Sequence, residues 1–127
     1  MKLLLDTHAA LWWLAGDDQL SDTAARLIAD PDNVVLASAV SGYEIELKIR
    51  RWRLTTAVAR EFALFLDKAA IPALPLDLAH MTAGAALDWE HHDPWDRLLA
   101  SQARLEGATL VSIDAAFDEI DGFKRAW

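Results

Sequence analysis

The sequence predicts an α/β fold with a largely parallel sheet covered by helices on both faces, and three observations carry that expectation. Short apolar runs at residues 2–5, 34–37 and 109–113 have the length and the Leu and Val content of buried strands. Between them lie segments with helical spacing and helical punctuation, so strand and helix alternate along the chain. A length of 127 residues with 54% hydrophobic side chains suits one compact domain over residues 1–127 with a core of its own.

Taken in order, residues 2–5 end at Asp6, which places that carboxylate at the carboxyl end of the first strand. Residues 8–15 continue as helix until Gly16. Ser21 is placed to cap a second helix that turns Ala24, Leu27 and Ile28 inward and stops at Pro31. Residues 34–37 form the next strand. Residues 39–53 have helical length and two apolar stripes: at about 100° per residue, Ile45, Ile49 and Trp52 share one face while Val40, Tyr43 and Leu47 lie opposite. Such a helix is expected to be covered on both sides, one of them at a subunit or partner boundary. Between the stripes, Glu44, Lys48 and Arg51 form one polar seam and Glu46, Arg50 and Arg53 the other. Residues 56–70 read as one amphipathic helix. Pro72 and Pro75 confine residues 71–76 to an edge strand or loop. Residues 78–87 are helix-like, 89–93 are loop, and Pro94 opens a strong helix that ends at Gly107. Residues 122–127 are expected to add a last strand.

No stretch approaches the roughly 18 uninterrupted apolar residues of a membrane helix. The absence of cysteine removes disulfides and thiolate metal sites and matches a reducing cytoplasm, so a metal here would sit on oxygen or imidazole. A net charge of −8 argues against holding nucleic acid through overall electrostatics. Charge is nonetheless clustered, since Lys48, Arg50, Arg51 and Arg53 supply a third of the 12 Lys and Arg within six positions.

Each acid has an ordinary explanation. Asp6, Asp93 and Asp114 all precede helix-like segments and suit N-caps. Asp96, three residues after Asp93, suits a capping-box position, and Glu44 an i,i+4 pair with Lys48. As a set they mean more: Asp6 and Asp114 end apparent parallel strands, and ligands of open parallel sheets gather at that edge. Glu44 and Asp96 lie near the starts of the helices that follow. Converging carboxylates repel one another unless a cation neutralises them, so the set predicts a divalent metal, and oxygen ligands suit Mg²⁺ or Mn²⁺. Such ions activate water and support in-line displacement at a phosphodiester.

At this point the residues resemble a known family. Leu3-Leu4-Leu5-Asp6-Thr7-His8 followed by Trp12-Trp13 is similar to the opening of PIN-domain proteins of the VapC-like group. Ser41-Gly42-Tyr43-Glu44-Ile45 with Lys48, the run from His92 to Ala103, and Thr109 to Asp114 followed by Phe117 resemble its later motifs. The resemblance implies a three-layer α/β/α sandwich, a Mg²⁺ or Mn²⁺ site on Asp6, Glu44, Asp96 and Asp114, and endonucleolytic cleavage of RNA. It implies a supporting role for Ser112, with Thr7 a second supporting residue beside Asp6. Asp93 either binds metal through water or caps its helix. A homodimer and a small antitoxin that covers the site also follow by similarity. Gly42, Ser101 and Ser112 depart from the commoner residues of the pattern and leave the acids intact.

Other residues receive simpler assignments. His91 and His92 are adjacent in a polar loop and are read as loop structure, His80 as helix surface, and His8 as a candidate for a contact behind Asp6 or for the substrate phosphate. The six Trp are core or interface anchors before they are stacking platforms. Lys48, Arg51 and Arg97 are the candidates for the RNA backbone. Two other functions compete: an aspartate-based phosphotransfer or phosphatase domain using Asp6, which lacks the second acid two residues on, and a catalytically silent interaction module.

Overall fold

Successive side chains of a strand point to opposite faces, and Leu3, Leu4 and Leu5 all lie fully buried, so the first strand has a core on each side. The computed structural model describes residues 1–127. Strands β1 (Lys2–Leu5), β2 (Val34–Ser38), β3 (Ala73–Leu74), β4 (Thr109–Val111) and β5 (Arg125–Ala126) form one sheet in the order β3-β2-β1-β4-β5. All four pairings are parallel, with Leu3 between Val35 and Thr109 and Leu5 between Ala37 and Val111. Parallel strands buried on both faces read as continuous apolar runs, which is how residues 3–5 and 110–111 are written.

Helices α1 (Thr7–Ala15), α2 (Asp22–Ala29), α3 (Ala39–Arg50), α4 (Ala57–Arg60) and α5 (Phe62–Lys68) contribute to the core on the Leu3 and Leu5 face. Helix α7 (Pro94–Glu106) and the 3₁₀ turn Ala115–Glu119 cover the Leu4 face, with Leu99, Ala103, Leu110 and Phe117 buried there. Helix α6 (Leu78–Ala86) packs on α7 at Gly84, where an added Cβ would meet Leu98 Cδ2 at 3.2 Å and the Arg97 carbonyl at 3.3 Å. These are the three layers the sequence predicts. Burying each large apolar side chain contributes about 1.5–3 kcal/mol.

The chain lays β2 and β3 to one side of β1 and then returns to place β4 and β5 on the other. The gap between the carboxyl ends of β1 and β4 is therefore the switch point where α/β sheets bind ligands. A buried polar tie fastens α7 across this sheet: the Ser38 hydroxyl donates to Gln102 Oε1, and Gln102 Nε2 donates to the Pro75 carbonyl at 3.2 Å.

Two helix boundaries are corrected. Helix α3 ends at Arg50, and Trp52 lies beyond it in a left-handed turn with φ 58° and 81% exposure, so it leaves the face of Ile45 and Ile49. Val40 and Ile45 are buried on the two opposite faces, and Tyr43, at 60% exposure, is free to meet the subunit or partner expected on one of them. The helix expected over 56–70 is broken at Glu61, whose φ −118° and ψ 38° separate α4 from α5. No Gly, Pro or capping side chain marks that break.

His80 is buried at 2% exposure and is not on the helix surface. It occupies the third position of α6, where Asp77 caps its N–H at 3.0 Å and the Asp77 N–H donates to His80 Nδ1 at 3.1 Å. The proton is thereby assigned to Nε2, which donates to Glu106 Oε1 at 2.9 Å and ties the start of α6 to the end of α7. His80→Ala leaves those partners and a cavity unfilled, and is expected to lower unfolding free energy by about 2–4 kcal/mol, read as a shifted urea midpoint.

Candidate active site

Because β1 and β4 are neighbours running the same way, the residues that follow them emerge at one edge. Asp6 caps α1, its Oδ1 accepting the Ala9 N–H at 2.7 Å. Asp114 caps the 3₁₀ turn, its Oδ1 accepting the Ala116 N–H at 2.9 Å. Buried Ser112 sits between the two: its Oγ accepts the Asp114 N–H at 3.1 Å, and its hydroxyl favours the charged form of the Asp6 carboxylate.

Glu44 reaches the same place from α3. Thr7 Oγ1 donates to Glu44 Oε1 at 2.8 Å and lies 2.9 Å from Ser41 Oγ. Since the Thr7 hydroxyl has one proton, Ser41 donates to Thr7. Lys48 Nζ holds the other oxygen, Glu44 Oε2, at 2.8 Å. From α7, Asp93 caps the helix by accepting the Trp95 and Asp96 N–H groups at 2.9 and 3.3 Å. Asp96 Oδ2 receives His91 Nε2 at 2.7 Å.

Asp6, Glu44, Asp93, Asp96 and Asp114 line one cavity of about 420 Å³ with Thr7, His8, Lys48, Leu99, Ile113 and Phe117. Capping and cavity lining are thus not alternatives, because Asp6, Asp93 and Asp114 do both. Five acids face a single lysine there. Burial raises the pKa of Asp6, offset by the Ser112 and Ala9 hydrogen bonds and by His8, with Glu44 adding to the rise. Asp96 is pushed up to about 6, chiefly by burial; the His91 hydrogen bond opposes this, and nearby Asp93 and Asp114 add to it. Both shifts come first from burial, which disfavours the charged carboxylate and makes added positive charge favourable. A hard divalent cation fits such an oxygen-rich donor set and would supply that charge.

Two residues differ from their expected roles. Arg97 is not available to a phosphate: its Nε donates to the Gly84 carbonyl, Nη1 to Trp89 and His91, and Nη2 to Ala85 and Leu87, at 2.6–3.3 Å. All five guanidinium donors are used on backbone. His91, read as loop structure, is drawn into the site. Its ring stacks on Trp89 at 4.5 Å, and Trp89 is itself held by a 2.9 Å bond from its Nε1 to Glu119. His91, Asp93 and Asp96 bring one ligand atom each within 4.8 Å of one another. No periodicity signals this, because His91 and Asp96 are joined across a loop-to-helix corner. His92 and Arg51 are exposed, and neither lines the cavity.

The fold and site define an α/β/α sandwich with an acid-lined cavity at the switch point of a parallel sheet. The profile of the PIN domain family matches residues 3–123, and the chain belongs to that family. Ribonuclease VapC22 of Mycobacterium tuberculosis is 29% identical over 115 residues, covering 88% of this chain and 86% of that protein. Among solved structures, VapBC2 from Rickettsia felis bound to a DNA fragment from its promoter has a TM-score of 0.71 at 18% identity, covering 100% of this chain and 99% of that one. VapC20 of Mycobacterium tuberculosis, a sarcin–ricin loop cleaving toxin, has a TM-score of 0.70 at 21% identity and covers 98% of each chain. These structural likenesses show a shared fold.

An Asp whose folded pKa is raised holds its proton more tightly in the folded than in the unfolded chain. Its neutral form therefore stabilises fully below about pH 4, and that contribution is lost as pH rises through about 6. Without metal, Asp96 is expected to remove up to about 3 kcal/mol of stability over that interval, and Asp6 acts in the same direction. Thermal melts in EDTA from pH 4 to 7 should show Asp96→Asn with a flatter profile and, at pH 7, a higher Tm than the wild type.

Proposed function

We propose that this chain is a metal-dependent endoribonuclease, the toxin of a toxin–antitoxin pair, that hydrolyses RNA phosphodiester bonds in the cytoplasm. The observation that carries this reading is the convergence of Asp6, Glu44, Asp96 and Asp114, from four separate segments, on one cavity at the sheet's switch point. The ribonuclease name of the relative from Mycobacterium tuberculosis supports the substrate class, and the VapBC neighbours support an antitoxin partner. A homodimer is part of the same proposal. No helix is long and apolar enough to cross a membrane.

Asp6, Glu44, Asp96 and Asp114 would hold Mg²⁺ or Mn²⁺, with Asp93 beside them through its uncapped oxygen. When bound, the cation lowers the pKa of a water molecule and offsets charge on the scissile phosphate. The chain's own residues prepare that site. Thr7 and Lys48 each take one oxygen of Glu44 and fix its rotamer. The Ala9 N–H holds Asp6 in the orientation that faces the cavity, and the Ser112 hydroxyl favours its charged form. His91 Nε2 engages Asp96 Oδ2 and leaves Oδ1 without a protein partner. Lys48 is the one lysine lining the cavity and would offset phosphate charge there.

Mn²⁺ is expected to raise the Tm of the wild type by several degrees at neutral pH, with the gain largely lost in Asp6→Asn and Asp96→Asn. The same variants, still folded by circular dichroism, should lose at least about a hundredfold of RNA-cleaving activity. Unchanged cleavage in both would remove the basis of the proposal. For His91, alanine should cost about 10–100-fold in activity and in Mn²⁺ affinity, and His91→Gln should restore part of both, since Gln can still donate to Asp96.

A further inference from the structure

Four helices of this chain stop in the same way, with a residue at positive φ whose successor bonds back five residues. The left-handed residues are Gly16, Trp52, Ala70 and Gly107, with φ between 55° and 63°. The closing bonds are Asp17 N–H to the Trp12 carbonyl, Arg53 to Lys48, Ile71 to Leu66 and Ala108 to Ala103, at 2.8–3.0 Å. Glycine is the usual occupant of this position, because a Cβ there is strained. Gly16 and Gly107 follow the rule and Ala70 departs from it by one methyl group. Trp52 places the largest side chain of all at the strained site.

The fold does not use that ring. Trp52 is 81% exposed, the most exposed of the large hydrophobic residues, and pairs with no other aromatic side chain. A strained backbone costs stability and a bare indole returns none by burial, and strained residues of this kind concentrate at functional sites. Its neighbours indicate what. Arg51 and Arg53 flank it, exposed and without an ion-pair partner, while Arg50 pairs with Glu46 at 3.0 Å. Cations at a helix carboxyl end favour the dipole, but that effect gives no reason for the tryptophan. On a chain of net charge −8, this turn is a local positive spot beside an exposed aromatic ring.

The turn is also connected to the cavity. Glu44, Lys48 and Arg51 follow one side of α3, with Glu44 and Lys48 lining the cavity and Arg51 at the helix end. Seven residues at 1.5 Å each put Arg51 about 10 Å along the axis from Glu44. A single-stranded chain leaving the cavity covers that distance within a few nucleotides.

We propose that the Arg51-Trp52-Arg53 turn is a secondary binding site for single-stranded RNA, with Trp52 stacking on a base and Arg51 and Arg53 engaging phosphates of the strand that runs from the cavity along α3. This rests on the nuclease reading for the identity of the strand. Its test does not require cleavage. A fluorescein-labelled single-stranded RNA of about 20 nucleotides and mixed sequence is titrated with protein in EDTA, and affinity is read by anisotropy at several salt concentrations.

Trp52→Gly should weaken binding by roughly 5- to 150-fold, the range of one lost base stack. Its Tm should hold or rise by up to about 4 °C, because the strain is relieved. Trp52→Phe, which can still stack, should stay within about threefold of wild type. Arg51→Gln should reduce the slope of log affinity against log salt by about 0.7, the value of one phosphate contact on a single strand. Equal RNA affinity in wild type and Trp52→Gly overturns the proposal. So does a Trp52→Gly variant that shifts from dimer to monomer with RNA affinity unchanged, which assigns the ring to a protein contact. Loss of cleavage in Asp96→Asn is measured separately, so a failed nuclease reading and a failed RNA site give different patterns.

Discussion

Two parallel strands lie side by side at the centre of this sheet, Leu3–Leu5 against Thr109–Val111, and each is followed within three residues by an aspartate. Parallel direction forces both carboxylates to the same edge, and the reversal of strand order opens a gap between them. The remaining features of the site answer that placement. Negative groups gathered at one edge repel, and Asp6 in addition is buried to 8% exposure. The surrounding groups are those that favour a carboxylate: helix-start N–H groups, the Ser112 and Thr7 hydroxyls, and Lys48. Burial still raises the pKa of Asp6 and Asp96 against that compensation, and a cation at this edge would oppose the rise.

Capping and site-building use the same atoms here. An N-cap aspartate must sit between a strand or loop and a helix, with its side chain aimed at the first turn. In a parallel α/β sheet those junctions are also the ligand-binding edge, so a capping aspartate is delivered to the cavity without further design. Asp6 and Asp93 each commit one oxygen to the helix, which orients the carboxylate and leaves the second oxygen for other partners. Glu44 lies within its helix and cannot use this device. It is oriented instead by the Thr7 and Lys48 side chains.

Asp96 and Arg97 are adjacent in sequence but do different work. On a helix, consecutive residues diverge by about 100°, so Asp96 turns to the cavity while Arg97 turns to the segment between α6 and α7. There Arg97 collects the carbonyls of residues that have left helical bonding, among them Leu87, Trp89 and His91. Fixing that backbone fixes Trp89, and the Trp89 ring supports His91 against Asp96. A charged residue beside a candidate acid can thus belong entirely to the scaffold.

Residue pattern alone determined the strand and helix alternation, the position of Asp6 and Asp114 at strand ends, and the start and stop of the Pro94–Glu106 helix, because those follow from periodicity and local cap chemistry. It also marked the Glu44, Lys48 and Arg51 seam. Only the folded chain decided that Trp52 swings out of its stripe, that residues 56–70 break at Glu61, that His80 is buried and that His91 meets Asp96. Each of these depends on where the chain turns after a helix or on which distant carbonyl or carboxylate a side chain finds. Such partners are set by packing between elements far apart in sequence, and spacing along the chain does not encode them.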